Sequence, residues 1–376
     1  MNSPVPFAWI SCVGEKGGAE TLMIECLRVL DRSRFRPHVI QLRPGPLEKA
    51  LQEIDVQVHV LETHRVRQVH LVARAIWQIR GIAKREKFAF IHSNGFRAHI
   101  HGGIAAMLAR IPEVWTTHTV EEPRLDTPLI LAIPTAHVLA NCPRTEKYFL
   151  GKGLPTSMIW PGVNAAALEQ GNTREALAVR HGLPFEKRWV SVGARLQRFK
   201  GQLHFLQALA SLPPDTDVHG IVIGGSLFGR ETEYQAELKN LAISLGIQNR
   251  VTFTGFVSDR DLAGLLAASS LVVHPALEED FGLTVAEAQA LGIPVLAYAA
   301  VGPAAIIDPH VTGWLVPVGD QAGLNVALRE AMSDNARLKA FGAAGKIRSR
   351  SHFSAEQHAH QTEAIYEQVL ASRRRG

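Results

Sequence analysis

Residues 271–298 read LVVHPALEEDFGLTVAEAQALGIPVLAY, and this stretch decides the fold. Leu271-Val-Val-His-Pro275 is a short β-branched run of the kind that forms a buried strand. A helical run from about Thr284 to Leu291 follows. It stops at Gly292, with Pro294 just beyond, which is the pattern of a helix C-terminus. PVLAY (294–298) is then a second strand. Strand, helix and strand in so short a span form a right-handed crossover, which pairs its strands in parallel.

The same alternation extends outward. WVSVG (189–193), GIVIG (220–224) and VTFTG (251–255) read as strands with helices between them, the first helix running from Gly201 to Ala210. Before Asn164 there is a separate series: FAWIS (7–11), HVIQL (38–42), Val56 to Val60, FAFIH (88–92), VWTTH (114–118) and HVLAN (137–141). Helices are expected near Ala19 to Leu30 and Arg97 to Ala109. The stretch Gly151 to Gly171 is rich in Gly and Pro and reads as a linker. The spacing therefore predicts an α/β chain of two doubly wound domains, residues 1–163 and 170–354, facing a central cleft, with a last helix over about 355–376. In open parallel sheets ligands bind beyond the carboxyl ends of the strands, so the residues that follow the strands are the candidates.

Composition excludes several classes. The chain has 376 residues, 46% hydrophobic and 20% charged, with no period to its 31 Gly and 20 Pro. It is neither disordered nor collagen-like. No apolar run reaches the roughly 18–20 residues of a spanning helix. The best, Pro128 to Cys142, is broken by Pro134 and His137. The first residues carry no basic n-region of a signal peptide. Cys12, Cys26 and Cys142 cannot form a disulfide framework. A cytoplasmic protein of a reducing compartment is expected. Residues 1–165 hold 20 Lys and Arg against 14 Asp and Glu, whereas residues 166–376 hold 20 against 21. The positive excess lies in the first half, which points to an anionic partner there or to a solvated basic face.

Four places carry chemistry. Gly14-Glu15-Lys16-Gly17-Gly18 follows the first strand and opens a helix; adjacent glycines and free N–H groups suit a phosphate, and a tight turn reads the same way. Arg195 and Lys200 lie in the loop after WVSVG, where two cations can converge on one diphosphate. Glu279 stands at the carboxyl end of strand 271–275, and Glu287 lies in an otherwise apolar helix, where a carboxylate needs a partner such as a ribose hydroxyl or else faces solvent. Asp280, Phe281, Gly282, Leu283 and Thr284 supply backbone N–H groups at that helix's start. His118 lies just past VWTTH.

GGAE (17–20), His118, RLQRFKG (195–201), EEDFGLTVAEAQALGIPV (278–295) and WLVP (314–317) together resemble retaining glycosyltransferase family 4, over nearly the whole chain and in order. The resemblance implies a GT-B architecture, with the C-terminal helix crossing back to the first domain. It implies that Arg195 and Lys200 neutralise the leaving diphosphate and that Glu287 holds the ribose. Glu279, with the backbone at Asp280 to Gly282, would hold the sugar hydroxyls, and Leu283 and Thr284 would complete the donor site. Gly17 and Gly18 would border the phosphates and the acceptor. His118 would contact the sugar near the reacting carbon, and Val257 would lie near the base. The chain departs from the pattern at Ala305, where many relatives carry Glu, and at Cys142, where Ser is usual.

The activity so implied is transfer of a sugar from a nucleoside diphosphate to a sugar or lipid-linked acceptor hydroxyl, in cell-envelope glycan or glycolipid synthesis. No cofactor, essential metal or nucleic-acid partner is expected. The segment His64 to Lys87, with Arg65, Arg67, Arg74, Arg80, Lys84, Arg85 and Lys87 around Val69, Val72, Ala73, Ile76, Ile79 and Ala83, could rest on an anionic membrane at the inner face of the plasma membrane, or pack on its own sheet. The alternatives are a non-catalytic sugar-nucleotide-binding protein and an epimerase or phosphorylase of the same two-domain build.

Overall fold

The computed structural model describes residues 3–15, 17–61, 69–118, 127–225 and 232–375. The chain divides into two units, Met1–Gly162 with Ala355–Gly376, and Val163–Ser354. The first unit carries strands β1 (Val5–Ser11), β2 (Phe35–Gln41), β3 (Gln57–Val60), β4 (Ile91–Asn94), β5 (Glu113–Thr117), β6 (His137–Ala140) and β7 (Thr156–Met158). They form one parallel sheet in the order β3-β2-β1-β4-β5-β6-β7. The second unit carries β8 (Arg188–Gly193), β9 (Val218–Ile223), β10 (Val251–Gly255), β11 (Ser269–His274), β12 (Val295–Tyr298) and β13 (Gly313–Val316). Its parallel order is β10-β9-β8-β11-β12-β13. The order reverses between β1 and β4 in one sheet and between β8 and β11 in the other. These are the points where an open parallel sheet splays to form a ligand crevice.

Helices cover both faces of each sheet, which is why the strands read as unbroken apolar runs. In β1, Phe7 and Trp9 enter one core cluster while Ala8 and Ile10 enter the other. The helix Ala355–Arg375 completes the first of these clusters with Ala359, Ile365, Tyr366 and Val369. Tyr366 is fully buried, its ring 5.1 Å from Phe7 and 4.6 Å from Phe90, and its hydroxyl lies 2.5 Å from His92 Nδ1. The last residues of the chain thus finish the core begun by the first strand.

Two local readings differ from the structure. β4 starts at Ile91, because Phe88 and Phe90 plug opposite core faces ahead of it. The stretch read as a linker, Gly151 to Gly171, contains β7 on the sheet edge and a short helix, Ala165–Leu168. In the helix Val69–Arg85, Ile76, Ile79 and Ala83 are buried in the core, so much of its apolar stripe packs inward. Arg65, Arg67 and Lys16 lie outside the described residues. Among the described residues no helix is long and apolar enough to cross a membrane.

Candidate active site

In the second unit the loops after β8 and β11 flank the point where strand order reverses, and a glycine locks them together. Gly201 has φ 74°, and a Cβ there would lie 1.8 Å from the Pro275 carbonyl oxygen. Leu277 N–H donates to Phe199 O at 2.7 Å across the same contact. The turn Arg198–Lys200 is thereby pinned against the start of the acidic loop. Lys200 Nζ consequently donates to Glu279 Oε2 at 2.7 Å, and His274 Nε2, from the end of β11, lies 3.1 Å from the same oxygen. Burial pushes the Glu279 carboxyl up, but the His274 hydrogen bond and charge, and then Lys200, outweigh it and hold the group down at about 2. An ionised carboxylate only accepts, so His274 donates from Nε2. Both contacts fall on Oε2. Oε1 remains an acceptor for a hydroxyl, and two of the three ammonium N–H groups of Lys200 remain for phosphate oxygens.

The loop's other cations differ in use. Arg198 makes paired bonds to Glu237 at 2.8 and 2.6 Å and lies 5.0 Å over the Tyr234 ring. It is structural. Arg195 is exposed, and no carboxylate among the described residues pairs with it. Its carbonyl is fixed by the buried Gln202 amide, at 2.8 Å.

The acidic loop leads into the helix Leu283–Ala290, whose N-cap Gly282 has φ 91°. Thr284 Oγ1 donates to the Gly193 carbonyl at the end of β8, at 3.0 Å. This ties the helix start to the strand end. Gly302 N–H donates to Glu279 O at 2.9 Å, and a Cβ on Gly302 would lie 2.0 Å from Phe281 O. The loop Asp280 to Gly282 is thus clamped ahead of the helix, where the first-turn N–H groups and the dipole favour an anion. From Val285 to Ala290 every residue is buried except Glu287, which is half-buried. Ala305 lies in the helix Val301–Ile306, its carbonyl held by Arg348 at 2.9 Å.

β8, β9 and β10 end at or just before Gly193, Gly224 and Gly255. A Cβ on Gly224 would lie 2.2 Å from Ala194 O, and Gly224 N–H donates to Gly255 O at 3.1 Å. The strand ends form a shelf of bare backbone beside Arg195, with the half-buried Val257 just past it. Reading the sequence picks out Val257 but misses this shelf and misses His274. The signal for the shelf was there: three successive runs, WVSVG, GIVIG and VTFTG, all end in glycine. Nothing in the run LVVHP marks its histidine as a site residue.

In the first unit Gly17 caps the helix Gly18–Val29, and its N–H donates to Glu20 Oε2 at 3.2 Å. That carboxylate already takes one of the N–H groups expected to border a phosphate. His118 follows β5. Its Nε2 lies 2.8 Å from Asn94 Oδ1 at the end of β4, and Asn141 Nδ2 donates to its carbonyl at 2.8 Å. Burial, and then the charge of His358, hold His118 down at about 4, so its ring is neutral near pH 7. Asn94 carries no sequence signal beyond the Gly95 that follows it, which has φ 87°. The structure thus gathers Lys200, Glu279, His274 and the start of the helix at Gly282 to Thr284 in the second unit, with Glu287 further along the same helix. His118, Gly17 and Gly18 belong to the other unit.

Two doubly wound parallel sheets, one with a lysine–carboxylate–histidine cluster at its reversal point, are the α/β build of the GT-B class. Residues 173–348 match the family described as glycosyl transferases group 1, and residues 16–167 match glycosyltransferase family 4. The chain belongs to the family 4 glycosyltransferases. It is 28% identical over 311 residues to D-inositol 3-phosphate glycosyltransferase of Corynebacterium kroppenstedtii, spanning 76% of this chain and 68% of that one. It is 27% identical over 377 residues to the enzyme of the same name from Xylanimonas cellulosilytica, spanning 90% and 88%. The crystal structure of Anabaena HepE in complex with UDP and glucose is similar with a TM-score of 0.83 and 25% identity, over 96% of this chain and 99% of that one.

Proposed function

We propose that this glycosyltransferase moves a hexose from a nucleoside diphosphate sugar to an acceptor hydroxyl with retention of anomeric configuration, in the synthesis of a cell-envelope glycan or glycolipid, without an essential metal. The observation that carries the reading is the Lys200–Glu279–His274 cluster beside Arg195 at the reversal point of the second sheet. The similarity to a protein solved with UDP and glucose supports the donor class.

In this reading Lys200 and the N–H groups at Gly282 to Thr284 hold the β-phosphate, and Arg195 reaches the same diphosphate. Glu287 accepts from the ribose. Glu279 Oε1 accepts a sugar hydroxyl, and its charge persists at any assay pH because His274 and Lys200 hold it. Val257 borders the base, and His118 contacts the sugar. The bond from the anomeric carbon to the β-phosphate oxygen breaks with its electron pair staying on the phosphate. The acceptor oxygen then bonds to that carbon on the same face, and its proton passes to the departing phosphate. The transition state resembles an oxocarbenium ion. Cations and amides fixed where the charge grows stabilise it, each such donor being worth about 10²–10³ in rate. The two cations supply the neutralisation that a metal supplies elsewhere.

The basic first unit supports an anionic membrane as the surface that presents a lipid-linked acceptor. On the helix Val69–Arg85, Val69, Trp77, Arg74, Lys84 and Arg85 are exposed, and Arg80 lies 4.9 Å over the Trp77 ring. Trp at a lipid interface with flanking cations is the expected pattern for such contact.

A panel of UDP-, GDP- and ADP-linked hexoses, with mass spectrometry of products and NMR of the new anomeric centre, tests the reading. One donor should be consumed with retention, EDTA should leave the rate unchanged, and Lys200→Ala or Arg195→Ala should lower turnover about 10²-fold. Near-wild-type turnover in both variants, or an inverted product, overturns it. Binding without turnover would leave a sugar-nucleotide-binding protein.

A further inference from the structure

Beside His118 in the first unit is a cavity of about 20 Å³, whose wall includes Trp9, Asn94, Thr116, His118, Asn141 and His358. That volume is on the scale of one water molecule. Three buried atoms of its lining residues have no hydrogen-bond partner among the described residues: Trp9 Nε1, Asn94 Nδ2 and Asn141 Oδ1. Trp9 is 2% exposed and each asparagine 8%. A single such orphan is costly, and here three belong to residues that line one small cavity.

Their polarity is set by their other contacts. Trp9 Nε1 can only donate. Asn141 already gives its Nδ2 to the His118 carbonyl, so Oδ1 is its remaining polar atom. Asn94 holds His118 Nε2 through Oδ1, which leaves Nδ2 as a donor. Two donors and one acceptor complement a water, which accepts two hydrogen bonds and gives up to two. Leu22, Met23, Leu139, Ala140, Ile159 and Pro161 also line it.

We propose that this cavity is a built site for one internal water, and that Asn94 and Asn141, bridged by it, are positioning residues that hold His118 for the transferase reaction. The functional half of this inference rests on the assignment of His118 to the sugar. Asn94 fixes the ring, Asn141 fixes the backbone, and the water joins the two amides to Trp9 on β1. With Nε2–H committed to Asn94, the neutral imidazole is left with Nδ1 as its acceptor. The water thus ties three strand ends to one tautomer of one histidine.

A crystal structure at about 1.5 Å resolution tests the site directly. A single peak within 2.7–3.2 Å of the three atoms is expected in the wild type, lost in Asn141→Leu, which removes the acceptor. An absence of density in the wild type overturns the site. Kinetics test the positioning. Asn94→Leu should lower kcat about 10-fold with little change in KM for the donor, and His118→Ala with Asn94→Leu should be no worse than His118→Ala alone. Asn94→Asp should raise the His118 pKa and bring a new limb into the pH profile near neutrality. Additive losses, or wild-type kinetics and pH profile in both Asn94 variants, overturn the positioning role even if the water is seen. If His118→Ala itself turns over normally, it is the assignment of His118 to the sugar that fails, while the density still decides the water.

Discussion

Glu279 does two jobs at once, and both can be measured. Its carboxyl is held at about 2 against an ordinary value of 4.5, so the ionised form is favoured by folding. A depressed carboxyl contributes stability that is full above about pH 4.5 and is lost as pH falls toward 2, an effect of about 3 kcal/mol. Glu279→Gln should therefore flatten the acid limb of the stability curve between about pH 5 and 2, measured by urea titration at stepped pH. It should also damage transfer more than it damages affinity for the free nucleoside diphosphate. The neighbouring Gly201 makes a sharper case. Gly201→Ala places a Cβ against the Pro275 carbonyl at a positive φ, so the loop carrying Lys200 must move. A loss of more than about 2 kcal/mol in chemical denaturation, with a fall in turnover comparable to Lys200→Ala, is expected. Arg195, Lys200 and Glu279 stand out in the sequence as candidates because they follow apolar strands, and Glu287 because it interrupts an apolar helix. His274 was not, because a histidine at the last position of a buried strand looks like any core polar group until its partner is seen. The Arg198–Glu237 pair shows the converse: in sequence Arg198 is as good a candidate as Arg195, and only the fold assigns it to structure.

The helix Leu283–Ala290 is the element that turns sequence into a site. Its Gly282 cap, the Thr284 bond to Gly193 and the Gly302 clamp fix its start, while Glu287 alone between Val285 and Ala290 escapes full burial. Glu287→Ala should weaken binding of the free nucleoside diphosphate about 10-fold by calorimetry; unchanged affinity would mean that this side chain does not meet the ribose. Gly302→Ala should displace Phe281 and lose both stability and donor affinity. The helix Val69–Arg85 is the contrasting element. Periodicity located it, but periodicity alone could not say whether its apolar stripe met the sheet or a membrane. The sheet takes Ile76, Ile79 and Ala83, and Trp77 is left outside. Trp77→Ser with Arg74→Gln should abolish flotation on anionic vesicles at low salt and leave transfer to a soluble acceptor analogue intact. If the wild-type protein fails to float, the basic first unit serves another partner. β7 had no signal at all: three half-buried residues on a sheet edge carry too little pattern to be told from a loop.

At the scale of the molecule, the first unit is discontinuous in sequence. The helix Ala355–Arg375 supplies Tyr366, Ile365 and Val369 to the core around Phe7, Phe35 and Phe90. Each such side chain is worth about 1.5–3 kcal/mol on burial, and together they rival the whole stability of a domain. A chain ending at Ser354 should therefore lose the first unit and keep the second. Two calorimetric transitions in the full protein should become one, with hydrogen exchange protection surviving in β8 to β13. The strand-helix alternation made the doubly wound sheets legible from the start, since buried parallel strands cannot hide their apolar runs. This arrangement also sets a timetable. On the ribosome the first unit is begun first and finished last, because all of Val163–Ser354 must emerge before Tyr366 arrives. At about 5–20 residues per second that is a wait of roughly 10–40 seconds. Throughout it the aromatic face of β1 lacks its cover, which makes the nascent chain a natural client for chaperones even though each sheet is locally simple.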